Sequence, residues 1–590
     1  MASKSKQAQA HYLGFTIYAG LVTLLVLPNG MDAFSFIKAA LVLAGGLWLA
    51  ISEHKLFKMN KKDPIYLIVT ALIFWMLILA ITSDNKWISL FGVNGRSTGI
   101  LFYIALFVFF FWSRVFELKK QIAVFQIFLV IGTISMFYGL LQQLKIDPFK
   151  WDLVYRGIIG LFGNPNFMGA FSALIGIASF SLAANPISKP NIKILGLVIF
   201  SVSISNIRAS HALQGYISLL IGITPIIIYR LHQKNPNLAK VFSFISGVGL
   251  ISFVLSLFKI GPLTDLIYKQ SVSYRGEFWR TAIRMMENQP IFGVGFERFG
   301  VNYRLYRDLP QVLRNGVDSY SDNAHNIYLQ FAATGGILLA LLYLIFNCLV
   351  ALKLVKKIQK NIENSFFYIS IFAIWIAIQA QSLISVDTPA IAFWGMIFAG
   401  IICSEGIQSL KSKSELQLSK VFGIVGVIAL SVLLIFQLNA QTKMRNAFYA
   451  QIPVANNDYW NAKMDLLNQA AKYEPLNPEW RILAANSLIQ DKAYQQTIEQ
   501  ASKAVKLDKS DYRGWFFLAT AYEESGKRDK AIPSRLTALK LDPYNTNNML
   551  ELVKDYKSAN QLTKAKEIVD LIKNLDPSGN DYKQAIALIQ

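Results

Sequence analysis

Cysteine is nearly absent. The 590 residues hold two, Cys348 and Cys403, and both lie inside apolar stretches. This excludes a disulfide framework and any cysteine-based metal spacing. Charged residues make up only 16% of the chain. No Walker loop or serine nucleophile elbow occurs, and Gly293-Val294-Gly295 lacks the third glycine of a dinucleotide fingerprint. Asp318 and Asp322 are two loop carboxylates that could hold a divalent ion, but such pairs are more often solvated; no metal and no cofactor is expected.

What fills the chain is apolar sequence, at 54% hydrophobic residues. Stretches long enough to cross a bilayer fall near 12–28, 33–51, 64–82, 99–113, 122–144, 166–184, 192–206, 212–229, 241–260, 325–352, 366–383, 389–407 and 420–438. The expectation is therefore an all-α polytopic membrane protein with about 13 transmembrane helices, the seventh and eighth being short ones. Lys4 and Lys6 precede the first stretch without a small-residue cleavage site after it, so it reads as a retained span.

The basic residues give an orientation. Lys55, Lys58, Lys61 and Lys62, then Arg114, Lys119 and Lys120, mark alternate loops. Lys189 and Lys193, Arg230, Lys234 and Lys240, Lys353, Lys356, Lys357 and Lys360, and Lys411, Lys413 and Lys420 continue the series. The loops 28–32 and 385–389 contain none. By the positive-inside rule the N-terminus is cytoplasmic, and both a long polar loop at 261–324 and the C-terminal region are extracytoplasmic. A net charge of +22 might suggest nucleic acid, yet residues 445–590 carry 20 Lys+Arg against 18 Asp+Glu. The remaining +20 belongs to the membrane half, where it faces anionic lipid, so no nucleic-acid partner is expected.

Two regions divide the chain: a polytopic domain at 1–440, including the long loop, and a polar domain at 445–590. In the latter, Tyr473-Glu474-Pro475, Leu507-Asp508-Lys509, Leu541-Asp542-Pro543 and Leu575-Asp576-Pro577 recur every 34 residues. Trp515, Leu518, Ala519, Tyr522, Gly526 and Ala531 fall between them, and Leu552, Tyr556 and Ala565 repeat three of those positions. This period reads as a tetratricopeptide solenoid, which offers a binding surface for a protein partner or an acceptor and supplies no chemistry.

Four motifs share one side of the membrane. They are Leu90-Phe91-Gly92-Val93-Asn94-Gly95-Arg96-Ser97-Thr98-Gly99, Gly160-Leu161-Phe162-Gly163-Asn164-Pro165-Asn166-Phe167, the segment Arg208 to Gly215, and the long loop. That loop carries Tyr274-Arg275-Gly276-Glu277-Phe278-Trp279-Arg280, then Pro290-Ile291-Phe292-Gly293-Val294-Gly295, and ends in Asp322-Asn323-Ala324-His325-Asn326. Each alone reads as an ordinary turn; their common sidedness favours one outer-face site. If 273–288 is helical, Trp279, Ile283 and Met286 form an apolar stripe for the bilayer, with Glu277, Arg280, Arg284 and Glu287 on the polar side. Those four also read simply as i,i+3 pairs on a solvated face. His325 falls in the first turn of the tenth span with Asp322 as its N-cap, where the helix dipole would keep the ring neutral. An interfacial histidine with no chemical role fits the same position.

This succession of motifs resembles the O-antigen ligase and polymerase family, in particular its branch with tetratricopeptide repeats after the last span. The resemblance implies a C-type membrane glycosyltransferase fold and an inverting, metal-independent transfer. The glycan would move from an undecaprenyl diphosphate carrier to an acceptor hydroxyl at the outer face of the bacterial plasma membrane. It implies His325 near the acceptor and Arg275 at the diphosphate, with Arg208, Arg280 and Arg96 as further diphosphate contacts. Asn326, Asn164, Asn166, Glu277 and Gln214 are candidate substrate contacts. Many members carry Ser-Arg where this chain reads Ser205-Asn206-Ile207-Arg208 and then Gln214, so either Arg208 or Gln214 fills that position. Ligase, polymerase and protein O-oligosaccharyltransferase stay open, with a lipid, polysaccharide or protein acceptor. A transporter or a non-enzymatic anchor for the repeats are the alternatives from other classes. Transport would need ionisable residues at mid-membrane, and only Lys38, near the start of the second span, approaches this.

Overall fold

The computed structural model describes residues 2–53, 63–151, 155–257, 259–267, 270–404, 416–449 and 457–590. Lys55, Lys58, Lys61, Lys62, Lys411 and Lys413, used above for orientation, lie outside them. The described residues are helical, with no strand among them. Nine of their helices are long and apolar enough to cross a membrane. Four shorter apolar helices, Leu13–Leu24, Phe36–Ser52, Ile100–Arg114 and Pro389–Ile402, occupy the other expected positions. The seventh and eighth stretches, which read as short, are full-length helices, Pro190–Ser210 and Leu213–Lys234. The chain is thus a multi-pass membrane protein.

The helices start where local chemistry starts them. Asp63, Asn164 and Asn235 each stand before a proline and accept the N–H two residues on, at 3.2, 2.8 and 3.1 Å. Proline at the first helical position costs no hydrogen bond, and the Asx cap supplies one. Inside, aromatic rings dominate the core: Trp394 is fully buried, stacks on Phe398 and donates its indole N–H to Thr23 at 3.0 Å. At the basic end, Arg114 pairs with Asp63 at 2.5 Å, both buried. Its charge therefore serves the fold and not the lipid surface. Lys38 is likewise satisfied: it donates to the Leu161 carbonyl and lies over the Phe162 ring, anchoring the second motif.

One expected span is broken. The Ile327–Lys360 helix contains Gly336 at φ +80°, ψ 168°. Backbone groups freed at such a break need partners, and the Pro290–Gly295 segment brings them. Val294 N–H donates to Ala333 O at 2.8 Å, and Ile337 N–H donates to Pro290 O at 2.9 Å. Trp75 donates its indole N–H to Gly335 O at 2.9 Å and stacks on Phe292. A Cβ on Gly336 would run into the Ile291 carbonyl, which explains the glycine.

In the polar region, helices begin at 478, 512, 546 and 580, and their partners at 494, 528 and 562, each series stepping by 34 residues. Small residues fill the joints, among them Ala485, Ala501 and Ala521, with Leu518 and the rings of Trp515 and Tyr522 packed against them. The Leu416–Tyr449 helix runs from the last apolar stretch through residue 440 and packs Ala440, Met444 and Ala447 against Leu467, Ala470 and Trp480.

Candidate functional site

The long loop folds on its own core. Its helix Gln270–Asn288 turns Phe278, Ala282 and Met285 toward Phe299, Tyr303, Ala324 and Ala333. Of the expected bilayer stripe Ile283 is exposed while Trp279 and Met286 are only partly so, and Glu277 is not on a solvated face. It is buried under the Leu309–Asn315 helix, accepting from Arg314 and Asn315 at 2.6 Å each. The expected i,i+3 pairing within the helix is replaced by pairing across it, since Arg280 meets Asp308 at 3.1 Å and Arg284 the same carboxylate at 3.8 Å.

The N-cap of the Ile327–Lys360 helix is Asn326, not Asp322: Asn326 Oδ1 accepts Tyr328 and Leu329 N–H, both at 3.0 Å. Asn326 stands directly before the helix, whereas Asp322 is four residues too early. Its amide also donates to Leu383 O at 3.0 Å. His325 consequently precedes the helix, at φ +51°. This left-handed conformation is uncommon without glycine and is held from both sides. The His325 N–H donates to Asn323 Oδ1 at 2.7 Å, and Ala324 N–H donates to Gln330 at 3.0 Å. The imidazole stacks on Phe278, with centroids 5.5 Å apart.

Arg96, from the first motif, grips Asp322 with a bidentate fork at 2.6 and 3.0 Å. Burial opposes ionisation of Asp322, but Arg96 prevails and holds it below the usual carboxylate range. Beside them Glu297 accepts from Thr98 at 3.2 Å, and burial pushes its pKa up to about 7 despite Arg96. Burial also lowers His325, to about 4, helped by the positive fields of Arg96 and Arg275 and opposed by Asp322. The ring is neutral at neutral pH, through burial and two arginines more than through a helix dipole.

Arg275 differs from the other arginines of the loop. Arg280, Arg284, Arg298, Arg304, Arg307 and Arg314 all have carboxylate partners. Arg275 has none among the described residues, and burial lowers its pKa. A partly buried guanidinium without a counter-charge is unfavourable, and planar donors with full charge suit phosphate oxygens.

Hydrogen bonds join the four motifs in two pairs. The first meets the long loop through Arg96–Asp322 and Thr98–Glu297. The second meets the third through Gln214, whose amide donates to Asn166 O at 2.7 Å. Gln214 is buried and its Oε1 has no hydrogen-bond partner among the described residues. Asn164 is the helix cap described above. Arg208 is exposed in the last turn of its helix, with no ion pair among the described residues. Gln214 and Arg208 therefore stand in different environments, one a buried tie and the other an exposed cation.

Three arginines that the sequence did not single out tie the loop to the repeats. Arg298 forms a fork with Asp508 at 2.7 and 2.8 Å, and Arg304 and Arg307 share Asp542 at 2.9 and 2.6 Å. Asp508 and Asp542 are the acidic members of the 34-residue period. The signal was present in that recurrence, which reads first as a turn marker.

With this geometry in hand, the chain can be set beside known proteins. Residues 196–344 match the family model for O-antigen ligase. The match runs from the helix bearing Arg208 through the long loop and past the helix break at Gly336. It therefore contains Arg275 and His325. No curated protein matches the chain. A solved structure described as "Crystal structure of APC/C hetero-tetramer Cut9-Hcn1" aligns over 94% of this chain and 89% of that chain. Its identity is 10% and its TM-score 0.22, so it carries no argument here.

Proposed function

We propose that the protein transfers a glycan from an undecaprenyl diphosphate-linked donor to an acceptor hydroxyl at the outer face of a bacterial plasma membrane, as an O-antigen ligase does. The observation that carries this is Arg275, the one loop arginine without a carboxylate among the described residues, beside a neutral His325. Arg275 would hold the diphosphate, with Arg208 as the second cation. Arg96 is already engaged by Asp322, so its part is to position His325's neighbour. In the transfer, His325 takes the acceptor hydroxyl proton and the oxygen bonds to the anomeric carbon. The bond from that carbon to the diphosphate breaks, and the diphosphate leaves with the electron pair, met by Arg275. Attack opposite the leaving group inverts the anomeric centre, and no metal takes part. The alternation of basic loops supports an outer placement of the long loop and the repeats.

The test compares wild type and His325→Ala at matched expression in a host lacking the gene. Carrier-linked and acceptor-bound glycan are quantified together by mass spectrometry. The variant should accumulate the first and lose the second, and the wild-type product identifies the acceptor as lipid, polysaccharide or polypeptide. Equal pools in both strains would remove His325 as the base.

A further inference from the structure

The acidic position of the 34-residue period is used differently in its four occurrences. Glu474 accepts from the indole of Trp480, within the repeats. Asp576 accepts from Ser578 two residues on, at 3.3 Å. Asp508 and Asp542 instead reach out of the repeats and take Arg298, Arg304 and Arg307 of the long loop. A repeat turn needs no arginine from another region, as Glu474 and Asp576 illustrate. The two middle carboxylates therefore serve the loop.

What they hold is the stretch that leads to His325. Residues 316–326 form neither helix nor strand, so no regular ladder fixes their backbone and side chains must. Arg307 donates from one terminal nitrogen to Asp542 at 2.6 Å. From the other it donates to the carbonyls of Val317 and Ser319, at 2.8 and 2.9 Å. The side chains of Arg307 and Asp542 are both fully buried. Arg304 adds a second bridge, to Asp542 at 2.9 Å and to Val317 O at 3.0 Å, with its guanidinium 5.0 Å from the Tyr512 ring centre. Three residues beyond Ser319 comes Asp322, gripped by Arg96, and three further comes His325.

A second route is aromatic. Arg298, fixed by Asp508, stands directly before the Phe299–Tyr306 helix. From that helix Tyr303 meets Phe278 edge to face at 6.0 Å, and Phe278 stacks on the His325 imidazole. Tyr303 also meets Tyr320 at 6.1 Å, joining the two routes. Arg275 has an anchor of its own, since its helix packs Ala282 and Met285 with Ala333 of the membrane helix. We propose that the repeat domain is part of the transfer machinery, with Asp542 and Arg307 as positioning residues that set His325 against the acceptor. Asp508 and Arg298 support them through Tyr303. A guanidinium places the carbonyls it holds only while its own position is fixed, and here a carboxylate of the repeats fixes it. Without that carboxylate the diphosphate cation stays and the base is misplaced. The inference rests on the transferase reading and gives the repeats a task besides partner binding.

The test uses the full chain in membrane vesicles from the host lacking the gene, with that host's envelope extract as acceptor source. Purified undecaprenyl diphosphate-linked glycan is added in increasing amounts to separate kcat from donor KM. Asp542→Asn and Arg307→Gln should each lower kcat about 10–100-fold, the cost of a displacement of about 1 Å, and leave donor KM within about twofold. Asp576→Asn, at the equivalent position without a loop arginine, should transfer as wild type. Hydrogen exchange should rise over 317–326 and stay slow over 546–558, the helix after Asp542. If 546–558 also opens in Asp542→Asn, Arg307→Gln decides, since it leaves the repeats untouched. An unchanged kcat, a loss confined to donor KM, or an equal fall in Asp576→Asn would overturn the proposal. The transferase reading fails separately, if wild type moves no glycan from the carrier.

Discussion

Removing Asp508 should open the contact between the long loop and the repeats. Arg298 and Asp508 are 1% and 2% exposed, and the carboxylate takes both terminal nitrogens of the guanidinium. Among the described residues, Asp508→Ala leaves only Ser510 accepting from Arg298, at 2.6 Å, and Arg298 Nε has no partner even in the wild type. Breaking one side of a buried pair costs about 3–5 kcal/mol, because the remaining charge stays desolvated. At about 1.4 kcal/mol per decade, local opening should become roughly two to four orders of magnitude more frequent. Hydrogen–deuterium exchange of the full chain in nanodiscs reads this in the amides of 298–308 and 508–524. The apolar pair Arg298→Met with Asp508→Leu should recover most of the protection, since replacing both charges is often near neutral. Wild-type protection in Asp508→Ala would refute the reasoning, as would a double variant whose loss equals the sum of the singles. The loop would then be held by Arg304 and Arg307 on Asp542.

Arg275→Gln should lower single-turnover transfer about 10²–10³-fold, and Arg275→Lys, which keeps charge but loses the fork, about tenfold. Because the Arg275 cation depresses His325, the same Gln variant should move the acid limb of kcat/KM upward from about 4; an unmoved limb would separate the two residues. Glu297 titrates at about 7 when folded and near 4.5 when free. The folded state then holds the extra proton between those values, and stability should fall as pH rises from 4.5 to 7. Glu297→Gln should flatten that slope in thermal midpoints measured from pH 5 to 8. Gly336→Ala should cost about 1–3 kcal/mol or more from its positive φ alone and expose the Val294 and Ile337 amides to exchange. Gly14→Ala, with nothing within 4 Å, should leave them protected.

Much of the architecture was legible because its determinants are local. Apolar length placed nine expected spans on helices long enough to cross a bilayer and four on shorter apolar helices, and the 34-residue period placed the repeat helices. What failed needed knowledge of the partner. A helical wheel put Glu277 among polar residues, but the Leu309–Asn315 helix that covers it lies beyond the wheel. The continuous apolar run over 325–352 concealed the break at Gly336, which exists because Pro290–Gly295 docks there. Arg96–Asp322 spans 226 residues and Arg298–Asp508 spans 210, so residue type announced the charges and nothing local announced the pairing.

The charge distribution of the loop also bears on the order of events. Six of its seven arginines are neutralised by carboxylates, three of them through the repeat domain. On the transferase reading, an incoming diphosphate is drawn to Arg275, the loop arginine with no carboxylate partner among the described residues. Before it arrives, His325 at about 4 is a weak base, because Arg96 and Arg275 both oppose an imidazolium. A diphosphate on Arg275 would cancel part of that field while leaving Asp322 in place to favour the protonated ring. On the transferase reading, donor binding thus raises the basicity of the group that must take the acceptor proton. The base is strengthened only once a leaving group is in position, which ties proton removal to transfer and leaves hydroxyls near the empty site unactivated.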